Sequence, residues 1–237
     1  MKFVASQSAL SAALNSAMGV VPGRSTLQVL TNFLLNLEGN MLEIGATDLD
    51  TSIRLRLEVD GMRDGSILVS AKELFDMIKI QKAPQVEFSV ENYVVHVQAG
   101  QFSANVSGND AEDFPDMEEF GENTSVSINS SELQFLSDKS LFAVSNDTSR
   151  MSLNGACMHA EGDKLVMIAT DGHKLGRAVI DHEVSEGTEV ILPSKVIGQI
   201  LKSVPSDSDI DIVLGERFVS FSAEGLKLVS KLIEGPY

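Results

Sequence analysis

Cysteine is almost absent from this chain: the single Cys157 excludes an internal disulfide and any zinc cluster built on cysteines, and it fits a reducing compartment. Tryptophan is missing altogether and there are only two tyrosines. No uncharged apolar run approaches the ~18 residues that a membrane span requires, so no membrane contact is expected. The start, Met1-Lys2-Phe3-Val4-Ala5, passes straight into Ser6-Gln7-Ser8 without the apolar core of a secretory signal. The expectation is a soluble, cytoplasmic protein. Cations are the scarcest class that matters: 18 Lys and Arg face 34 carboxylates, a net charge of −16. A protein that neutralises phosphates requires Lys and Arg, so this balance argues against nucleic acid unless the few cations are concentrated. There is no glycine-rich phosphate loop, nucleophile elbow or zinc signature either, which disfavours an enzyme, and no cofactor is implied.

What is present is a duplication. Ala46-Thr47-Asp48-Leu49-Asp50 follows Leu42-Glu43-Ile44-Gly45, and Ala169-Thr170-Asp171-Gly172-His173-Lys174-Leu175 follows Leu165-Val166-Met167-Ile168, 123 residues later (169 − 46). The same offset matches Leu10 with Leu133, Leu30 with Leu153 and Lys72 with Lys195; by Val86/Ile210 and Phe102/Leu226 it is 124. A repeat of about 120 residues is a whole domain. The expected division is residues 1–117, an acidic linker at 118–124, and 125–237. Gly108 to Glu122 carries seven carboxylates and no cation and reads as exposed linker.

Each unit changes pattern in the same order. Leu10, Ala13, Leu14, Ala17, Met18 and Val21 recur at helical spacing up to Val20-Val21-Pro22-Gly23. Thr26 to Leu37 and Met41 to Val59 predict strands, as does Ile67-Leu68-Val69. Ala71 to Gln81 predicts a second helix, and three alternating runs between Val86 and Val106 predict a meander. In the second unit Asn129, with Glu132 three residues on, predicts a capped helix. The fold class is α+β, with two helices packed on antiparallel sheets in each unit.

On the second helix of each unit, 100° per residue puts Lys72 and Lys79 within about 20° of each other, and Leu74, Met77 and Ile78 on the opposite side. Lys195 and Lys202 repeat that arrangement against Ile197, Ile200 and Leu201. A lysine stripe is ordinarily a solvated face; two copies at a fixed offset, in a chain this poor in cations, point instead to a localised anion-binding surface. Arg24 stands on the turn after the first helix, and Ser145 to Arg150 is the equivalent polar turn. Asp171 and His173 lack further ligands at metal spacing, and Asp48 and Asp50 read as a strand-end turn.

Together Val21-Pro22-Gly23-Arg24-Ser25-Thr26-Leu27, the two Ala-Thr-Asp segments, Ala111-Glu112-Asp113-Phe114-Pro115, Ser149-Arg150-Met151-Ser152-Leu153-Asn154-Gly155 and Ser230-Lys231-Leu232-Ile233-Glu234-Gly235 resemble the bacterial sliding clamps, the beta subunits of DNA polymerase III. The resemblance implies two tandem DNA-clamp domains where the family has three, with helices lining a ring and sheets outside. It implies that Arg24, Asn146, Lys72, Lys79, Lys195 and Lys202 meet DNA. It also implies that Leu153, Thr170, Gly172, His173, Lys174 and Leu175 form half of a pocket for partner peptides. The implied partners are duplex DNA without sequence preference, the polymerase III catalytic subunit, the clamp loader, and other polymerases and repair proteins with clamp-binding motifs. Full-length members close as homodimers; for 237 residues the expectation is a monomer with the edge around Gln101 to Val106 unpaired. Two functions follow: a non-enzymatic, DNA-encircling processivity factor for replication, or a clamp-fold interaction module that binds peptides without encircling DNA.

Overall fold

Alternating burial organises both halves of the protein. A computed structural model describes residues 1–116, 124–182 and 189–237, and the chain separates into two compact units, Met1–Met117 and Glu118–Tyr237.

The first unit runs β1 (Lys2–Ser6), α1 (Gln7–Met18), β2 (Asn32–Glu38), β3 (Met41–Thr47), β4 (Thr51–Glu58), β5 (Asp60–Arg63), β6 (Gly65–Ser70), α2 (Ala71–Lys79), β7 (Gln85–Glu91), β8 (Val94–Ala99) and β9 (Phe102–Asn109). Its strands lie in the order β4-β3-β2-β6-β9-β8-β7-β1-β5, and every pairing is antiparallel. In β4 the residues Thr51, Ile53 and Leu55 are buried while their neighbours are not, the period-2 pattern of a sheet with one face on the core. Phe3 and Phe88, register partners on β1 and β7, stack with centroids 4.9 Å apart. Leu10, Leu14 and Ala17 of α1 and Leu74 and Ile78 of α2 close the core from the helical side.

The second unit repeats the plan with β10 (Thr124–Asn129), α3 (Ser130–Ser140), β11 (Gly155–Ala160), β12 (Lys164–Thr170), β13 (Leu175–Asp181), β14 (Glu189–Pro193), α4 (Ser194–Ser203), β15 (Asp209–Leu214), β16 (Phe218–Ala223) and β17 (Leu226–Lys231). Its strands form the runs β10-β15-β16-β17 and β13-β12-β11-β14. The registers themselves are duplicated. Leu34 faces Gly45 across β2 and β3 as Cys157 faces Ile168 across β11 and β12, each position shifted by 123 (157 − 34, 168 − 45). Phe88 and Val97 correspond to Ile212 and Phe221 at 124 (212 − 88, 221 − 97), so the extra residue lies between the second helix and the meander. Asn129 accepts from Ser131 N–H and Glu132 reaches back to the Asn129 N–H, the capping box expected for α3.

Three expectations change. Gln28–Thr31 is a 3-10 turn, not strand, closed by Thr31 Oγ1 donating to the Gln28 carbonyl at 2.7 Å. β5 is a strand that local patterning did not mark. The acidic segment is partly folded: Gly108 and Asn109 belong to β9, Ala111–Asp113 is a 3-10 turn, and Phe114 approaches Gly45. The linker expected at 118–124 falls, apart from Thr124, outside the described residues. Phe102 to Val106 pairs with β8, and β9 meets β6 only at Gly108 and Asn109. Among the described residues no helix is long and apolar enough to cross a membrane.

Candidate nucleic-acid and peptide interface

Both second helices place their lysines as their periodicity requires. Lys72 and Lys79 are exposed on α2 while Ala71, Leu74 and Ile78 are buried; Lys195 and Lys202 are exposed on α4 while Val196, Ile197 and Ile200 are buried. The four are not electrostatically alike. Lys79 Nζ pairs with Asp76 one turn back and lies 5.0 Å from the centroid of the Phe75 ring, so part of its charge is answered within its own helix. The hydrogen bond from Lys79 holds the Asp76 carboxyl below its ordinary pKa. Arg24 is exposed on the loop between α1 and the Gln28–Thr31 turn, and Asn146 is exposed on the loop between α3 and β11. In the repeat register Asn146 corresponds to Gly23, one residue from Arg24 (146 − 23 = 123).

The expected peptide residues lie on two segments of the second unit. Leu153 belongs to the 3-10 turn Met151–Asn154, and Thr170 to Leu175 spans the turn between β12 and β13. That turn is built by its own side chains. Thr170 Oγ1 donates to the Lys174 carbonyl at 2.7 Å and accepts from Gly172 N–H at 3.1 Å; Asp171 Oδ1 accepts from the N–H groups of His173 and Lys174, both at 2.9 Å. Those N–H groups pull the Asp171 carboxyl below its usual pKa. Asp171 and His173 are therefore joined through a backbone N–H, as turn residues. Among the described residues no group of three or more His, Cys, Asp or Glu could hold a metal ion. Gly172 has φ +89°, a conformation that costs a side-chain-bearing residue about 1–2 kcal/mol.

Arg150 connects the two segments. Its Nη1 lies 3.1 Å from where a Cβ on Gly172 would sit, and its Nε donates to Asp147 Oδ2 at 3.1 Å. The loop carrying Asn146 is held down by Ser145 N–H donating to the Leu153 carbonyl at 2.9 Å. Loop and turn thus form one continuous surface. Leu153 is half-buried, Leu175 is 62 % exposed, and Met151, on the same turn as Leu153, is 70 % exposed. Met151 and Arg150 were not singled out in the sequence, although both lie in one of its distinctive segments; exposure of a methionine leaves no trace in local spacing. Cys157 is buried in β11, and burial first, then the Glu189 charge, pushes its thiol up to about 11, which makes it a poor nucleophile.

Family models for the DNA polymerase III beta subunit match the chain twice, its N-terminal domain over residues 1–118 and its central domain over residues 127–237. A beta sliding clamp from Pseudomonas aeruginosa is 33% identical over 243 residues, covering 100% of this chain and 66% of the relative. One from Caulobacter vibrioides is 32% identical over 251 residues with the same coverage. Among solved structures, a P. aeruginosa sliding clamp bound to griselimycin has a TM-score of 0.94 at 32% identity, and a DNA polymerase sliding clamp from Bacillus subtilis has 0.94 at 25%; each covers 100% of this chain, which covers 66% of it. The chain spans 66% of the length of these relatives.

Proposed function

The chain belongs to the DNA polymerase III beta-subunit family, and from that membership we propose that it carries the DNA-facing and partner-binding surfaces of a sliding clamp. Its work is non-enzymatic: it holds duplex DNA through phosphates, without reading sequence, and tethers the replicative polymerase. The observation that carries this reading is the duplicated lysine pair, exposed on α2 and α4 at a fixed offset in a chain of net charge −16. Lys72, Lys79, Lys195 and Lys202, with Arg24 and Asn146, supply the contacts. Point charges on helix faces meet phosphates well and base edges poorly, so affinity is low and falls steeply with salt.

Leu153, Thr170, Gly172, His173, Lys174 and Leu175 supply one side of the peptide surface for the polymerase III catalytic subunit, the clamp loader and other polymerases and repair proteins with clamp-binding motifs. The exposed Leu175 and Met151 give such a peptide apolar anchors, and Arg150 bounds them. Thr170 acts through the turn, since its hydroxyl is already engaged.

Fluorescence anisotropy with a labelled duplex at low salt tests the DNA reading. The variant Lys72→Glu/Lys79→Glu/Lys195→Glu/Lys202→Glu is expected to lose binding while retaining the parent's circular dichroism. A folded quadruple variant that binds like the parent removes these helices from the DNA surface. Leu175→Asp, at a position exposed enough to leave folding intact, is expected to weaken a clamp-binding peptide at least about tenfold without altering duplex affinity.

A further inference from the structure

A cavity of about 410 Å³ opens on the first unit, outside all the surfaces above. It lies where the Gln28–Thr31 turn, the start of β2 and the ends of β6 and β9 converge, with Val29, Thr31, Asn32, Leu68, Asn109 and Asp113 among its walls. Asn32 is the unusual member. It is 9 % exposed, yet among the described residues its side-chain carboxamide makes no hydrogen bond. The carboxamide is not sealed off, since the one buried side-chain polar atom without a hydrogen-bond partner among the described residues is Arg54 Nε; the Asn32 amide is open to the cavity and presents an unengaged acceptor and two donors to it.

The duplicate shows that the fold does not require the opening. Asn32 corresponds to Gly155 in the second unit (155 − 32 = 123), and there the corner is filled. Ile233 Cδ1 comes within 2.8 Å of where a Gly155 Cβ would be; the Tyr237 hydroxyl accepts from Thr170 N–H at 2.9 Å and donates to the Gly155 carbonyl at 3.5 Å. Asn109 occupies the register position of Ile233, since Leu68↔Asn109 and Ile191↔Ile233 are corresponding bridges. One unit packs this corner with an isoleucine and a tyrosine; the other leaves it open and lines it with carboxamides and a carboxylate.

We propose that this cavity binds a short peptide segment carrying a basic side chain. Its cationic group lies on Asp113, the one charged side chain among the described residues of the wall, and a backbone amide of the peptide pairs with the Asn32 carboxamide. A carboxamide offers one acceptor and two donors, the complement of a peptide unit, and a wall with a single negative charge selects a cation over an anion. Val29 and Leu68 give a small aliphatic neighbour apolar contact. The site stands independently of the DNA and second-unit peptide readings.

The test is a titration of the 237-residue chain by amide NMR with acetyl-Leu-Arg-N-methylamide, and with acetyl-Leu-Glu-N-methylamide as the control of opposite charge. Saturable shifts confined to residues 28–32, 68–70 and 109–113 are expected for the arginine peptide and none for the glutamate peptide. Asp113→Asn, at an exposed position, and Asn32→Leu are each expected to weaken binding about tenfold. No saturable shift up to about 10 mM means that solvent alone satisfies Asn32 and overturns the proposal. So does equal response to both peptides, or parental affinity in a folded Asp113→Asn variant.

Discussion

The strand-end turns of the two units are the same device with different surfaces. In the first, Thr47 Oγ1 donates to the Thr51 carbonyl and accepts from Leu49 N–H, both at 3.1 Å, and Asp48 Oδ1 accepts from Asp50 and Thr51 N–H at 3.1 and 2.7 Å. In the second, Thr170 and Asp171 make those four hydrogen bonds to the corresponding groups. The third residue is left-handed in both, at φ 75° and 89°, but it is Leu49 in one and Gly172 in the other. So Thr-Asp is what the fold requires and the residues after it are free to vary. In the second unit that freedom places Gly172 against Arg150, followed by His173, Lys174 and the exposed Leu175; in the first the positions of Gly172 and His173 hold the 47 % exposed Leu49 and Asp50. The duplication therefore separates the scaffold from the surface proposed to meet partners.

Exchanging residues between the units should break the equivalence most sharply at the filled corner. Gly155→Asn puts a Cβ 2.4 Å from the Leu192 carbonyl oxygen, which cannot move without disturbing β14, and 2.8 Å from Ile233 Cδ1, which must rotate away. The expected loss is about 3 kcal/mol in urea unfolding. The reverse exchange, Asn32→Gly, meets an open cavity and should cost only about 1 kcal/mol, the entropy of a glycine in a strand. Equal costs would show that the corners pack alike.

A smaller effect is expected at the left-handed turn position. Gly172→Leu should destabilise by about 1–2 kcal/mol for the backbone alone, and it must also displace Arg150 Nη1. Leu49→Gly relieves the same strain but adds chain entropy to the unfolded state, leaving a net gain of about 0.5 kcal/mol. Paired unfolding midpoints check both signs; a destabilising Leu49→Gly would mean that the leucine side chain contributes packing that its exposure conceals.

Most of the architecture could be read from the chain because the duplication repeats strand register together with strand pattern. Lys72, Lys79, Lys195 and Lys202 are exposed where helical angles put them, since helix periodicity is a local property. What was not legible depends on contacts made at a distance. The run Val29-Leu30 reads as strand until Thr31 closes it into a 3-10 turn. β5 is polar and flanked by Gly65, and becomes a strand only by pairing Arg63, Gly61 and Asp60 with β1. The partnership of Lys79 with Asp76 was available from i,i+3 spacing, whereas the seating of Arg150 against Gly172 was not. The Thr-Asp repeat was visible as a motif, and its reason, four capping hydrogen bonds, appears only in three dimensions.

The smallest expected effect is the response of the second turn to acid. Backbone N–H groups of Lys174 and His173 stabilise the ionised Asp171 carboxylate, so its folded pKa lies below the ordinary 3.8. A group depressed on folding contributes stability above its unfolded pKa and loses that contribution as pH falls through the folded value. The contribution of Asp171 is thus complete at neutral pH and declines below about pH 4. Asp171→Asn keeps an oxygen acceptor for the turn but does not ionise, so its unfolding midpoint should follow pH less steeply than the parent's between about pH 4 and pH 2. An Asp171→Asn variant with the parent's acid slope would show that the hydrogen-bonded carboxylate gives this turn no stability beyond that of a neutral acceptor.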